Sequence, residues 1–312
     1  VWGNIKGVLM IKRTLYFGNP AYLSTRLQQM TIESPDAAFS PVTVPVEDIG
    51  VVVLDHHRIT ITQPLLNRLL ENNVAVITCD STHHPLGMFY VLEGNTLQSQ
   101  KFKYQINASE PLKKQLWQQI VKAKLHNQAV VLEMNGRPAE YLRQLVTAVR
   151  SGDTENCEAK GATYYWKYLF PKEFAFKRER EGLPPNNLLN YGYAIIRALM
   201  ARSIVAAGLM PTLGIFHRSQ YNAFCLADDM VEPYRPYVDA LVCKMVLAGE
   251  DVFQLNTEVK KQLLEIINRD VYIRNQTSPL SVAVQRTAYS LAKCFEGGDK
   301  KLVLPEIRHA DL

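Results

Sequence analysis

SEPLKKQLWQQIVKAKL, residues 109–125, is where the chain changes its hydrophobic period. Ser109 stands where a helix cap belongs, and Glu110-Pro111 supplies an acid and a first-turn proline. Leu112, Leu116, Trp117, Ile120, Val121 and Leu125 then recur at helical spacing. The pattern predicts one long helix, ended by Gly136-Arg137-Pro138. Before residue 95 the reading is different. Short runs rich in Val, Ile, Tyr and Thr, parted by Pro, Gly, Asn and Asp, predict strands at Thr14–Phe17, Leu27–Thr31, Val42–Pro45, Ile49–Leu54, Val74–Thr78 and Met88–Leu92. A single helix near Gln63–Glu71 carries Leu65, Leu66, Leu69 and Leu70 on one stripe. After residue 109, further helices are expected near 138–150, 155–169, 187–207, 222–245, 257–268 and 278–295, with Gly208 at a left-handed helix end. The expected fold class is α+β, a small N-terminal β-sandwich-like domain followed by an all-helical C-terminal domain. We assign 10–95 to the β-rich domain, 96–108 to a linker, 109–296 to the helical domain and 297–312 to a loosely ordered tail. Residues 1–9, VWGNIKGVL, precede Met10-Ile11-Lys12-Arg13, which resembles a start, and are read as an upstream extension or a cloning remnant.

Composition narrows the class. With 312 residues, 47% apolar and 21% charged, the chain has ample core for two domains. No run approaches the roughly 20 apolar residues of a membrane span, and no signal peptide is evident. Five cysteines, odd in number and without a CxxC pair, suit a reducing compartment, so a cytoplasmic address is expected. Net charge is +5, but it is uneven: residues 1–98 hold 6 Lys/Arg against 8 Asp/Glu, and residues 99–312 hold 29 against 22. A basic helical domain suits a polyanion such as nucleic acid.

Candidate chemistry concentrates at 217–236, HRSQYNAFCLADDMVEPYRP. His217, Asp228, Asp229 and Glu232 stand among Phe224, Leu226, Met230 and Val231, with Arg218 and Arg235 flanking and prolines at 233 and 236. Asp229 and Glu232 share a helix face at three apart, and Asp228 and Glu232 share one at four apart. Glu158 sits on another predicted helix, beside a buried side of Ala162, Tyr165, Trp166 and Leu169. Carboxylates with one histidine are what Mg²⁺ or Mn²⁺ accepts; a solvated acidic face is the alternative. The lysines at 113, 114, 122 and 124, with Arg197 and Arg202, read as solvated faces. PKEFAFKRERE at 171–181 is more suggestive, and Lys172, Lys177, Arg178 and Arg180 join Arg218 and Arg235 as candidate phosphate contacts. A rival zinc-hydrolase cluster is available in Asp55-His56-His57 and Asp80…His83-His84. Neither a phosphate-cradling glycine loop nor a GxSxG elbow occurs, which sets aside NTPase and serine-hydrolase readings.

Four stretches carry a resemblance: VAVITCDSTHHPLGMF (74–89), HNQAVVLE (126–133), NNLLNYGYAIIRALMARSIVAAGLMPTLGIFH (186–217) and AFCLADDMVEPYRPYVD (223–239), with Glu158 and its following Ala162 and Tyr165-Trp166. Together they look like the CRISPR adaptation integrase, the Cas-one endonuclease family, in its type II branch. The resemblance runs from about Met10 to Phe295. It implies a homodimer built partly through the β-domains and two such dimers on a small partner dimer, the Cas-two protein. It also implies double-stranded DNA fragments and CRISPR repeat DNA as substrates, with other type II adaptation proteins as further partners. The implied metal-binding and catalytic residues are Glu158, His217 and Glu232, with Asp229 as a further ligand or a support to the others. Many members have Gly directly after the first glutamate, where this chain has Ala159. The implied reaction is attack of a fragment's 3′-hydroxyl on a repeat phosphodiester, assisted by Mg²⁺ or Mn²⁺, in a prokaryotic cytoplasm. A catalytically silent DNA-binding assembly subunit is the competing class.

Overall fold

The structure is a computed structural model that describes residues 12–36, 39–83, 85–89, 91, 95–179 and 181–308. The expectations for residues 1–9, His84 and Arg180 lie outside these. The chain divides after residue 90 into two compact units.

The first unit contains β1 (Arg13–Phe17), β2 (Ala21–Arg26), β3 (Gln29–Glu33), β4 (Val42–Pro45), β5 (Ile49–Leu54), β6 (Ile59–Ile61), α1 (Gln63–Glu71), β7 (Ala75–Cys79) and β8 (Pro85–Phe89). They form two four-stranded sheets, ordered β1-β5-β7-β8 and β4-β3-β2-β6. Leu23, Met30 and Val44 from one sheet meet Ile49, Val52 and Val76 from the other, and Leu65 and Leu69 of α1 close the same core. Burying each such side chain contributes about 1.5–3 kcal/mol, which is what holds so small a unit together. The sandwich-like expectation therefore stands, with α1 where its leucine stripe put it. Two strands went unread. β2 and β3 pair antiparallel through Leu27 and Gln28, both at positive φ (50° and 64°). No Gly or Asn marks that turn, and exposed Leu27 resembles the start of a strand. β6 has only three residues and pairs parallel with β2.

In the second unit follow α2 (Gln98–Ile106), α3 (Glu110–Met134), α4 (Glu140–Ala148), α5 (Cys157–Leu169), α6 (Asn186–Ala206), α7 (Cys225–Val231), α8 (Arg235–Leu247), α9 (Thr257–Glu265), β9 (Asp270–Ile273), β10 (Gln276–Pro279), α10 (Leu280–Phe295) and β11 (Pro305–Glu306). Ser109 caps α3 as expected, accepting from Leu112 N. α3 is the spine of the unit, packed against α4, α5 and α8. Its second half is buried on nearly every side, as the run Leu125, Asn127 to Leu132 shows. The expected helix at 222–245 is two helices. Pro233 lacks the amide that would continue α7, and a single 3₁₀ turn over Glu232–Tyr234 leads into α8.

Three boundaries need correction. The expected linker 96–108 contains α2, whose Gln105 binds the loop after α6 through Met210 N, Met210 O and Leu213 O. The second unit is not purely helical: β9 and β10 form a hairpin through Arg274 and Asn275, both at positive φ, and β11 adds a third strand beside β9. The tail is tied down as far as Arg308, the last residue described. Gln119 of α3 accepts from Leu302 N (2.9 Å) and donates to Lys300 O (2.8 Å), and Leu302 and Ile307 are buried. The short run Leu302-Val303-Leu304 before Pro305 has neither helical nor strand length, so it gave no periodic signal for that anchoring.

Candidate active site

Glu158 enters from the start of α5. The turn before it is tight, with positive φ at Gly152 (76°), Asp153 (51°) and Asn156 (53°). It folds the buried Asp153 carboxylate back over the helix end, where Oδ1 accepts from Cys157 N (2.9 Å) and Oδ2 from Glu158 N (3.0 Å). Two amides that a helix start leaves unsatisfied are thereby bound, and Glu158 is fixed in the first turn. One turn later, a Cβ on Gly161 would lie 2.1 Å from Leu125 Cδ2, so any larger residue would have to displace Leu125 for α5 to seat this closely on α3. That seating brings Glu158 against Lys124.

Lys124 was read from the sequence as one of several solvated lysines. Instead it is 7% exposed and bridges two acids. Its Nζ bonds Glu158 Oε1 and lies 2.5 Å from Glu232 Oε2. Glu232 stands on the 3₁₀ turn, also 7% exposed, and its other oxygen accepts from Arg235 Nε (2.9 Å). Burial alone would raise the Glu232 carboxyl, but Arg235 and Lys124 overcome it and hold the group at about 2. Burial likewise disfavours the Lys124 ammonium, and Glu232 and Glu158 reverse the sign, so its pKa is raised. The sequence did carry a trace of this. Lys124 continues the spacing Leu116, Ile120, Lys124 along an apolar stripe, where an unpaired lysine would be costly.

Asp229 is fully buried and committed to one loop. Its Oδ2 accepts from Ile215 N (2.6 Å) and Phe216 N (2.9 Å); its Oδ1 accepts from His217 N (3.2 Å) and meets His217 Nδ1 at 2.5 Å. Both oxygens are used. Asp229 is thus placed as the group that shapes the 215–217 turn and orients His217, rather than as a further metal ligand. Gly214 makes the wrap possible, since a Cβ there would lie 2.2 Å from His217 O and 3.0 Å from Asp229 Oδ2. The hydrogen bond to Asp229 raises the His217 pKa against partial burial, and the charges of Asp229, Glu232 and Asp228 add to it. Phe216 stacks on Trp117 at 4.3 Å, and the His217 ring meets Trp117 edge-on at 5.8 Å. Beyond His217 opens a cavity of about 660 Å³, lined also by Lys113, Leu213 and Arg218. Asp228 faces elsewhere, in a two-pronged pair with Arg197 (2.6 and 2.8 Å).

Among the described residues no three His, Cys, Asp or Glu side chains meet in metal-ligand geometry. At this centre an ammonium stands between the two carboxylates. The donor set nonetheless fits a hard divalent cation. Glu158 and Glu232 already share one cation, and Asp229 holds His217 by Nδ1, leaving Nε2 as the outward nitrogen.

The basic candidates separate. Lys172 is exposed on a short turn, and Lys177 is exposed and paired with Glu179 at 2.5 Å. Arg218 reaches Glu110 at 2.7 Å on the surface. Arg178 is spent on structure, donating to Asn186 Oδ1 and Asn190 Oδ1 of α6. Arg235 is the partner of Glu232 and lies 4.6 Å from the Tyr193 ring centre, so it is placed as a counter-ion in the wall of the centre and not as a surface phosphate contact. The rival histidine cluster is only partly assembled. His83 Nδ1 meets buried Asp55 at 2.8 Å, but His56 Nδ1 accepts from Arg58 N, which uses that ligand position.

Fold and centre together define a two-domain α+β protein whose helical unit brings two glutamates onto one buried lysine and orients a histidine through a buried aspartate. Comparison with known proteins then places it. The family described as CRISPR associated protein Cas1 matches residues 15–265, and the chain belongs to that family. It is 37% identical over 301 residues to a CRISPR-associated endonuclease Cas1 of Neisseria meningitidis serogroup C (strain 8013), covering 96% of this chain and 97% of the relative. Among solved structures, a casposase bound to integration product superposes with a TM-score of 0.78 at 18% identity, covering 96% of each chain. A Cas6-RT-Cas1–Cas2 complex gives a TM-score of 0.73 at 21% identity, covering 99% of this chain and 37% of that one. These two are likenesses of fold. Among the described residues no helix is long and apolar enough to cross a membrane.

Proposed function

We propose that the chain is a metal-dependent endonuclease and integrase of CRISPR adaptation, which inserts short double-stranded DNA fragments into the repeat array. The observation that carries the reading is the convergence of Glu158 and Glu232 on one cation, beside a histidine oriented by a buried aspartate. The 37% identical relative is itself named an endonuclease, and the casposase neighbour was captured with an integration product. The Cas6-RT-Cas1–Cas2 neighbour supports a Cas2-type partner for this chain, and a homodimer is part of the same proposal.

Glu158, Glu232 and His217 would hold Mg²⁺ or Mn²⁺, which when bound stabilises negative charge on a phosphodiester under attack. In the reaction a fragment's 3′-oxygen forms a bond to the target phosphorus and the existing P–O3′ bond breaks. The attacking hydroxyl loses one proton and the departing 3′-oxygen gains one. With water as nucleophile the same balance describes cleavage. The chain's own contribution is placement. Asp153 fixes Glu158 at the helix start, Arg235 fixes Glu232, and Asp229 fixes the ring plane of His217. The cavity beside His217 gives a substrate room to approach.

The test is strand transfer with the purified chain, its Cas2-type partner, a labelled short duplex and a repeat-bearing plasmid in Mg²⁺ or Mn²⁺. Wild type should give joined product and Glu158→Gln should lose it by about a hundredfold or more while still binding the duplex. Equal product from Glu158→Gln, or full product in EDTA, overturns the assignment.

A further inference from the structure

We infer that Lys124 is a resident counter-ion that holds the divalent-cation position while no DNA is bound, so that metal and DNA phosphate enter the centre cooperatively. The inference rests on the metal reading above and goes beyond it, because it concerns how the site is loaded.

The geometry is specific to this lysine. α3 delivers it from the protein interior, and its ammonium contacts one oxygen of each glutamate at once. Those two carboxylates come from separate elements, α5 and the turn after α7. Without a cation between them, a buried and a partly buried negative charge would face each other with limited solvent to screen them. Lys124 removes that repulsion in the DNA-free protein. Three carboxylates at the centre, Glu158, Asp229 and Glu232, face two fixed cations, Lys124 and Arg235. A divalent ion added to that set makes the centre positive and sits against the Lys124 ammonium, which opposes binding. A phosphodiester brings the missing negative charge and offers the ammonium an acceptor, after which the same ion binds favourably. Side-chain freedom permits the move: lysine has a flexible four-carbon stem and a point charge, and Glu158 is 29% exposed, so one side of the pair opens to the substrate side.

The experiment measures Mn²⁺ binding by electron paramagnetic resonance titration of wild type and Lys124→Met, each with and without a phosphorothioate-protected short duplex. Methionine keeps the stem's bulk and removes the charge. Wild type should bind Mn²⁺ weakly alone and about tenfold or more tightly with DNA, while Lys124→Met should bind tightly in both states because the competing cation is gone. A second readout covers loss of folding. In EDTA, Lys124→Met should melt below wild type, and Mn²⁺ alone should restore most of the difference. If Lys124→Met binds Mn²⁺ no better than wild type without DNA, or Mn²⁺ fails to restore its melting temperature, Lys124 is a structural tether and the inference fails. If wild type binds no Mn²⁺ even with DNA, the metal reading fails instead. The two failures are therefore distinguishable.

Discussion

Replacing Asp229 by asparagine keeps the side chain's shape and changes only its charge and one acceptor. In the wild type both oxygens accept twice, from three consecutive backbone amides and from His217 Nδ1. An asparagine can present one oxygen to two of these donors. Its NH₂ group must then face the other two, so two hydrogen bonds to a charged acceptor become donor-against-donor contacts. Each such bond is worth about 1.5–3 kcal/mol, and the site is fully buried, so solvent cannot make good the loss. We expect about 3–5 kcal/mol of destabilisation. At about 2–4 °C per kcal/mol for a unit of this size, the second unit should melt roughly 6–20 °C lower. The His217 ring loses its anionic partner, so its pKa should fall toward the ordinary histidine value and the tautomer should no longer be fixed. Thermal melts with DNA strand-transfer rates test the first claim, and proton–nitrogen correlation spectra of the imidazole test the second. An Asp229→Asn protein that melts within about 1 °C of wild type and keeps the His217 tautomer would refute the idea that this carboxylate shapes the turn.

Asp228 and Glu232 should part company in a paired assay. Asp228→Ala breaks a half-exposed pair with Arg197, costs about 1–2 kcal/mol and leaves strand transfer largely intact, whereas Glu232→Gln abolishes it; the reverse pattern would mean the centre is misplaced. Stability in EDTA should also respond to His217 in a defined pH window. Because Asp229 raises the folded-state pKa, the pair's contribution is fully present below about 6.5, the unfolded value, and is lost as pH rises through the raised pKa. The melting-temperature gap between wild type and His217→Ala should therefore narrow on going to alkaline pH, and a gap that widened would reverse the assigned sign.

Much of the fold was legible because it rests on periodic burial. The strand runs at 14–17, 42–45, 49–54 and 74–78, the leucine stripe of α1 and the cap and stripe of α3 fell where the pattern put them, whereas the runs at 27–31 and 88–92 only overlap β3 and β8. What escaped were β2, α2 and several short strands. β6, β9, β10 and β11 have two to four residues each, and β11 exists because Ile273 and Tyr272 offer it an edge. For the centre, spacing alone left Asp228 and Asp229 equivalent; the resemblance pointed to Asp229, and in the structure the 215–217 loop takes Asp229 while Arg197 takes Asp228. Lys124, Asp153 and Gly214 carry no motif, since each acts by reaching a residue on another element or making room for one. Arg178 and Arg235 illustrate the converse. In the sequence they look like free basic charge, yet their acceptors lie 8 and 12 residues away for one and three residues away for the other.

One further polar residue shows how the centre is supported from behind. Asn127, three positions after Lys124 on α3, is fully buried in the HNQAVVLE stretch. Its Nδ2 donates to Pro233 O (2.8 Å) and Pro305 O (3.2 Å), and its Oδ1 accepts from Ile307 N (2.9 Å). The carbonyl of Pro233 belongs to the turn that carries Glu232, and a buried carbonyl without a partner costs free energy comparable to a lost hydrogen bond. Asn127 therefore ties that turn to the same helix face that supplies Lys124, and ties the C-terminal strand to both. Distance within the centre is then set by one rigid element. α3 fixes Lys124 directly, Glu158 through the Gly161–Leu125 contact, and Glu232 through Asn127. This accounts for Lys124 and Asn127 on the buried side of α3: each satisfies a group that positions the centre, and an apolar side chain of equal volume would leave that group unpaired.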